Sequence, residues 1–328
     1  MAERSRTRGK ARSPFSRGRL AVGLVLVTLL AAGVALGLKQ LRGGPDLGRL
    51  VYATQGAVFE RELATGAQRR LADIPRDTLD SWPDPGGRWL GYLQRRGALW
   101  LLDLETGARW RVADQLTTGR GWTPDRRFVA AELGSDRDLV AIDPGDGGTD
   151  LIVSRFGGGL LVWLDRDRFV TAIGDRLMLI HVSEPSTERL ADDTWPLAAS
   201  PDGKELLVAV KPESAKPRVA IASLDGDKLG ARRVMFEGLA HRAAVSRQGF
   251  VAFSGRDSSN DGGTWVIESR SKPPRRVSGE QAEQIAWSQD GTSLILLING
   301  EVSALDLRER RTIGVSPADA HVISIAVV

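Results

Sequence analysis

A short unit recurs along this chain at a nearly constant interval, and that interval limits what the chain can fold into. Each copy joins a small apolar run, a turn built on Pro, Asp or Gly, and a second apolar run. The copies are "DSWPDPGGRWLGYL" from Asp80, "RGWTPDRRFVAAE" from Arg120, "LVWLDRDRFVTAI" from Leu161, "LAASPDGKELLVAV" from Leu197, "AAVSRQGFVAFS" from Ala243 and "IAWSQDGTSLILLI" from Ile285. With Trp82, Trp122, Trp163, Ala199, Val245 and Trp287 as a common column, the steps are 40, 41, 36, 46 and 42 residues. Each unit continues into a third and a fourth strand-like run, as in "GALWLLDLETGARWRVAD". Four strands repeated at this period predict the blade of a β-propeller.

The ends of the repeat region complete one another. "RLVYATQGAVFERELATGAQRRLAD" supplies three strands without an inner one, and "HVISIAVV" is a strand with no blade after it. If the last strand becomes the innermost strand of the first blade, no open edge remains. The expectation is an all-β fold, a seven-bladed β-propeller closed by the C-terminal strand, over residues 48–328. The column then extends to Ile325, 38 residues beyond Trp287.

Before the repeats the chain changes character. Residues 1–19 carry seven Arg and Lys against Glu3, and residues 20–38 hold no charge. As a helix the second segment spans roughly 28 Å, close to the hydrocarbon thickness of a bilayer. The expected order is a basic cytoplasmic tail (1–19), one transmembrane signal anchor (20–38), a linker (39–47) and an exported propeller, since the basic flank stays inside. A cleaved signal peptide is the alternative, with Gly33 and Ala35 as small residues near a cleavage point. Gly33 and Gly37 make a GxxxG that reads as ordinary small residues of an apolar helix. From Gly43 onward 36 basic residues face 40 acidic ones, so the body offers no footprint for a phosphate backbone and no nucleic-acid partner is expected. The chain has no cysteine, which removes disulfides, thiolate metal sites and Cys nucleophiles.

The "ASPDGKELLVAV" and "AWSQDGTSLILLI" units, each followed by an "LDLETG"-type hairpin, resemble the repeats of TolB-like, WD-like β-propellers, which also occur in prolyl oligopeptidases and tricorn-type proteases. The resemblance implies protein or peptide binding by one propeller face. Units three, five and six depart from the "SPDG" pattern, and a membrane segment stands where TolB has an extra α/β domain.

Catalytic signatures are missing from the sequence. There is no G-x-S-x-G, H-E-x-x-H, Walker A loop, dinucleotide fingerprint or EF-hand loop. "SSNDGGTW" (258–265) resembles a sialidase Asp-box with Asn260 in place of Asp, and "DPGDGGTD" (143–150) gathers three carboxylates; both read as hairpin tips. No catalytic residue, cofactor or metal is assigned.

Reading across the repeats, residues four before the column should ring one mouth of the channel: Thr78, Thr118, Gly159, Trp195, His241, Glu283 and His321. Trp195, His241, Glu283 and His321 are the candidate ligand or partner contacts, and His with Glu offers zinc-type ligands as a second reading beside a solvated rim. Asp80 and Arg120, two before the column on neighbouring blades, are added as candidates, with an interblade salt bridge as their ordinary reading. The Trp column reads as packing between blades, and His181, in "RLMLIHVS", as a core or surface histidine. The expected function is a non-catalytic, membrane-anchored, extracytoplasmic interaction module whose partner is another envelope or membrane protein. The alternatives are a hydrolase or lyase at the channel mouth, and a small-ligand sensor.

Overall fold

The computed structural model describes residues 47–328 apart from 96, 114–116, 133–137, 158, 185, 212–215 and 318–319. The chain divides into Met1–Asp46 and Leu47–Val328. The tail, the apolar segment and nearly all of the linker expected before residue 48 therefore lie outside the described residues. Among the described residues no helix is long and apolar enough to cross a membrane.

The strands are β1 (Arg49–Thr54), β2 (Ala57–Glu62) and β3 (Gln68–Asp73); β4 (Thr78–Pro83), β5 (Trp89–Gln94), β6 (Leu99–Asp103) and β7 (Arg109–Ala113); β8 (Thr117–Trp122), β9 (Phe128–Glu132), β10 (Leu139–Ile142) and β11 (Thr149–Val153); β12 (Val162–Trp163), β13 (Arg168–Ile173), β14 (Arg176–His181) and β15 (Ser186–Asp192). They continue as β16 (Thr194–Ala199), β17 (Glu205–Val210), β18 (Arg218–Asp225), β19 (Lys228–Val245), β20 (Val251–Asp257), β21 (Gly262–Ile267) and β22 (Arg275–Ser278), then β23 (Gln284–Trp287), β24 (Ser293–Ile298), β25 (Glu301–Asp306), β26 (Arg311–Gly314) and β27 (Val322–Val327). All paired strands are antiparallel, and the fold is an all-β propeller.

Seven separate four-stranded blades were expected, and this is corrected. Among the described residues five sheets have four strands and one has seven, in the order β16-β17-β18-β19-β20-β21-β22. The join is β19. Its residues 228–237 pair with β18 and its residues 238–245 pair with β20, with no break between them. Gly238 permits this with φ of 150°, and a Cβ there would meet the Arg256 carbonyl at 2.2 Å.

The chain ends meet as the repeat pattern requires. β27 pairs with β1 from Leu50↔Val327 to Thr54↔Val322 and forms the edge of the sheet β27-β1-β2-β3. It is held on both flanks. Ser324 Oγ lies 2.5 Å from Ser81 Oγ of β4, and Gln284 of β23 accepts the Ile325 N–H at 2.9 Å through Oε1.

Burial follows strand position. The second strands, such as β17 "ELLVAV" and β24 "SLILLI", are apolar after their first residue because sheets cover both of their faces. Outer strands such as β3 "QRRLAD" and β15 "STERLAD" are polar and exposed, which discourages edge pairing with other chains. Apolar clusters fill the gaps between adjacent sheets, and one, around Val219, Phe253 and Trp265, lies between the two halves of the seven-stranded sheet.

The recurring turn has a simple chemical basis. The hydroxyls of Thr123, Ser200, Ser246 and Ser288 accept the backbone N–H of Arg127, Glu205, Phe250 and Ser293 at 2.8–3.0 Å. In three of these turns an aspartate, Asp125, Asp202 or Asp290, takes the hydroxyl proton in turn. The Trp column packs as expected. Trp122 Nε1 donates to the Trp82 carbonyl at 2.8 Å and Trp287 Nε1 to the Ala244 carbonyl at 3.1 Å, so each indole ties its sheet to the one before. Gly119 has no side chain because the Trp82 ring occupies that space, 2.5 Å from where a Cβ would be.

Removing residues 321–328 strips buried Val322 and Ile325 from the core and opens the β1 edge. Two such side chains are worth about 1.5–3 kcal/mol each. Adding the lost ladder, the expected fall in melting temperature exceeds about 10 °C, and an unchanged melting curve would refute the closure.

Candidate functional site

The inner strands lining the channel succeed one another around the axis, with β27 beside β4, β23 beside β27, β19 beside β23 and β16 beside β19. Their ladders are not regular. The register shifts at Leu79 in β4, Arg120 in β8, Leu197 in β16, His241 in β19 and Ile323 in β27. Each extra residue turns the side chains before it relative to those after it. Of the positions four before the column, Thr78, Thr118, Trp195 and His321 precede the shift in their strands and His241 lies at it.

Thr78 is buried and donates its hydroxyl to the Pro75 carbonyl at 2.6 Å. Thr118 has a side chain outside the described residues. Trp195, half-buried, packs on the cluster inside the seven-stranded sheet rather than standing free at the mouth. His321 is exposed and lies over the β24–β25 turn, where a Cβ on Gly300 would come 2.2 Å from its Nδ1. His241 and Glu283 are also exposed, and their backbones are brought together. Arg242 donates from Nη1 to the His241 carbonyl and from Nε to the Glu283 carbonyl, both at 3.0 Å. Among the described residues no ion pair joins either histidine to Glu283.

Asp80 and Arg120 do not form the salt bridge expected of them. Asp80 accepts the Ser81 N–H at 2.8 Å, and the charge acting on it is Arg242. β27 and β23 stand between β4 and β19 in the ring. Arg120 Nε is buried with no hydrogen-bond partner, because the register shift re-aims the side chain away from its neighbour.

Partial burial of Asp80 and Arg120, and of the ring of the otherwise exposed His241, shows in their acidity. Burial raises the Asp80 pKa, opposed by the Ser81 N–H and by Arg242. Burial lowers the Arg120 pKa. The His241 pKa falls through partial burial of the ring, then through Arg242 and Arg256. The channel thus holds a carboxylate, two guanidiniums and an imidazole biased towards its neutral form.

Two residues of interest are not marked by the repeat pattern. Arg242 lies next to the chosen His241 and is selected only by the register shift between Ala240 and Arg242. Asp84 occupies the turn position that Ser or Thr holds in four other turns, a departure visible in "WPDPGG". It is fully buried, and neither carboxylate oxygen has a partner. The other turn segments are spent on their own backbones. Asp143 and Asp146 accept the N–H groups of Gly145 and Gly148, and Asp257 those of Ser259 and Asp261.

No family model matches the chain, and no characterised protein matches its sequence. Solved structures do. TolB from Acinetobacter baumannii shares 16% identity at a TM-score of 0.52, covering 96% of this chain and 73% of that one. A provisionally assigned 6-phosphogluconolactonase from Bacteroides uniformis shares 14% at 0.60, covering 86% and 99%. The β-propeller domain of Cps50 (Swd1) from Myceliophteria thermophila shares 15% at 0.52, covering 72% and 85%. At these identities the likeness establishes the class, a β-propeller with TolB-like neighbours, and the fold alone.

Two outcomes follow from the site. Replacing Asp84 by Ser restores the hydroxyl found in the other turns and removes an unpaired buried carboxylate, so stability should rise by about 1–3 kcal/mol in denaturant titration. His241 binds its proton less readily folded than unfolded. Its contribution is therefore present above the ordinary histidine range, about pH 6.5, and is lost as pH falls through that range towards the depressed folded value. His241→Gln should flatten stability against pH over that interval, and an unchanged slope would contradict the assignment.

Proposed function

We propose that the chain is a non-catalytic binding module, held at the outer face of a cell membrane by residues 20–38, and that it docks another envelope protein at its channel mouth. The observation that carries the reading is the Nε of Arg120, buried and unpartnered on inner strand β8, next to β4, which carries Asp80. A buried guanidinium N–H without an acceptor is costly until one reaches it, and a partner's carboxylate or carbonyl supplies one. Leu79 and Leu239, two exposed large apolar residues, belong to the strands that carry Asp80 and Arg242. Apolar anchors beside unpaired charges are what a protein partner uses.

Among the described residues no histidine side chain makes a hydrogen bond to a hydroxyl, so a Ser–His or Thr–His nucleophile pair does not support the hydrolase alternative. Arg120 also suits a small anionic ligand, which is the sensor reading.

Crosslinking of the full chain in membranes, followed by capture and identification of partners, tests the proposal beside an Arg120→Ala, Asp80→Asn variant of unchanged melting temperature. A protein recovered by the wild type and lost by the variant is expected. The same partners with both, or none with either, would overturn docking at the channel. Alkaline extraction should leave the chain in the membrane fraction, and its release would overturn the anchor.

A further inference from the structure

The outer part of the propeller holds a second group of side chains that the channel does not use. His181 ends β14, Glu188 lies on β15, and Asp227 sits in the turn between β18 and β19 of the next sheet. One ligand atom from each lies within 4.8 Å of the others, and among the described residues this is the group of three His, Asp or Glu so arranged. We propose that His181, Glu188 and Asp227 form a binding site for a divalent transition-metal ion of the zinc type, joining two adjacent sheets.

The geometry points to an ion rather than to a hydrogen-bonded cluster. His181 Nε2 is 3.5 Å from Asp227 Oδ1, and no hydrogen bond links them. Ligands held about 2.0–2.1 Å from one tetrahedral ion lie roughly 3.3 Å apart, so this spacing suits two ligands across a metal. The register Leu179↔Glu188 and His181↔Ser186 puts His181 and Glu188 diagonally on one face of the β14–β15 pair.

The surroundings hold the ligands in place. His181 Nδ1 faces Asp167 Oδ2 at 3.9 Å, and Asp167 is itself fixed by the Ser183 N–H at 2.6 Å and by the Ser183 hydroxyl. That carboxylate sits on the side of the imidazole away from Asp227, leaving Nε2 as the nitrogen that faces the other ligands. Arg168 Nη1 donates to the Gly226 carbonyl at 3.0 Å and to Asp227 Oδ1 at 3.2 Å, fixing the turn that brings the third ligand. Its charge opposes the ion, but Asp165, Asp167, Glu188 and Asp227 outweigh it.

The test is isothermal titration of Zn²⁺ into the purified, tag-free full chain after chelator treatment. It is run beside H181Q, E188Q and D227N, with H241A and H321A as controls. The wild type should bind one zinc ion and gain melting temperature with it. H181Q and D227N should bind at least about tenfold more weakly, and the two control variants should bind like the wild type. Co²⁺ in place of Zn²⁺ should give the visible absorption of a tetrahedral site, lost in H181Q. E188Q keeps both remaining ligands and the side-chain shape, so it reports on the site should H181Q fail to fold. No zinc binding by the wild type, equal binding by E188Q and D227N, or loss of binding in H321A would overturn the site.

Discussion

The insertion of β27 beside β1 is the constraint on which the rest of the structure depends. A ring of sheets has no fixed circumference until its ends are hydrogen-bonded, and here the bonding runs through a full ladder and through side chains on both flanks. Ser81–Ser324 on one side and Gln284 on the other set the spacing of β4, β27 and β23. β4 carries Asp80, whose carboxyl is raised in pKa first by burial and is opposed by the charge of Arg242. Without closure the burial of Asp80 would be lost, and with it the shift in its acidity.

The channel and the outer cluster show one backbone solving two problems. In the inner strands, extra residues re-aim side chains, and the Nε of Arg120 is left buried without an acceptor. At the outer cluster, regular pairing of β14 with β15 and a tight turn held by Arg168 bring side chains of two sheets together. Irregularity creates unsatisfied charge at the axis, and regularity creates convergence at the rim.

Much of the architecture was legible in the residues because turn chemistry and apolar patterning repeat together. The hydroxyl and aspartate of each "SPDG"-like turn have fixed tasks, so their spacing counts the inner hairpins. The joining of β18 to β20 through β19 was not legible. "KLGARRVMFEGLAHRAAV" contains glycines that read as breaks, yet Gly238 lets the strand continue past a close backbone contact. The register shifts were hidden for a similar reason: a one-residue bulge leaves composition unchanged while it re-aims His241, Arg242 and Arg120. His181 looked ordinary because its neighbours in the group arrive from another strand and another sheet.

The continuous β19 divides the ring into parts of different independence. Four of the four-stranded sheets are continuous stretches of chain that could be duplicated or exchanged at their borders, whereas the fifth draws β27 from the far end of the repeats. The stretch from β16 to β22 could not, because a cut near Gly238 would sever a strand hydrogen-bonded on either side of the cut. That stretch is therefore inherited as one piece. The turn carrying Asp227 leads directly into β19, the strand that carries His241, and that strand is hydrogen-bonded to a neighbour along its length.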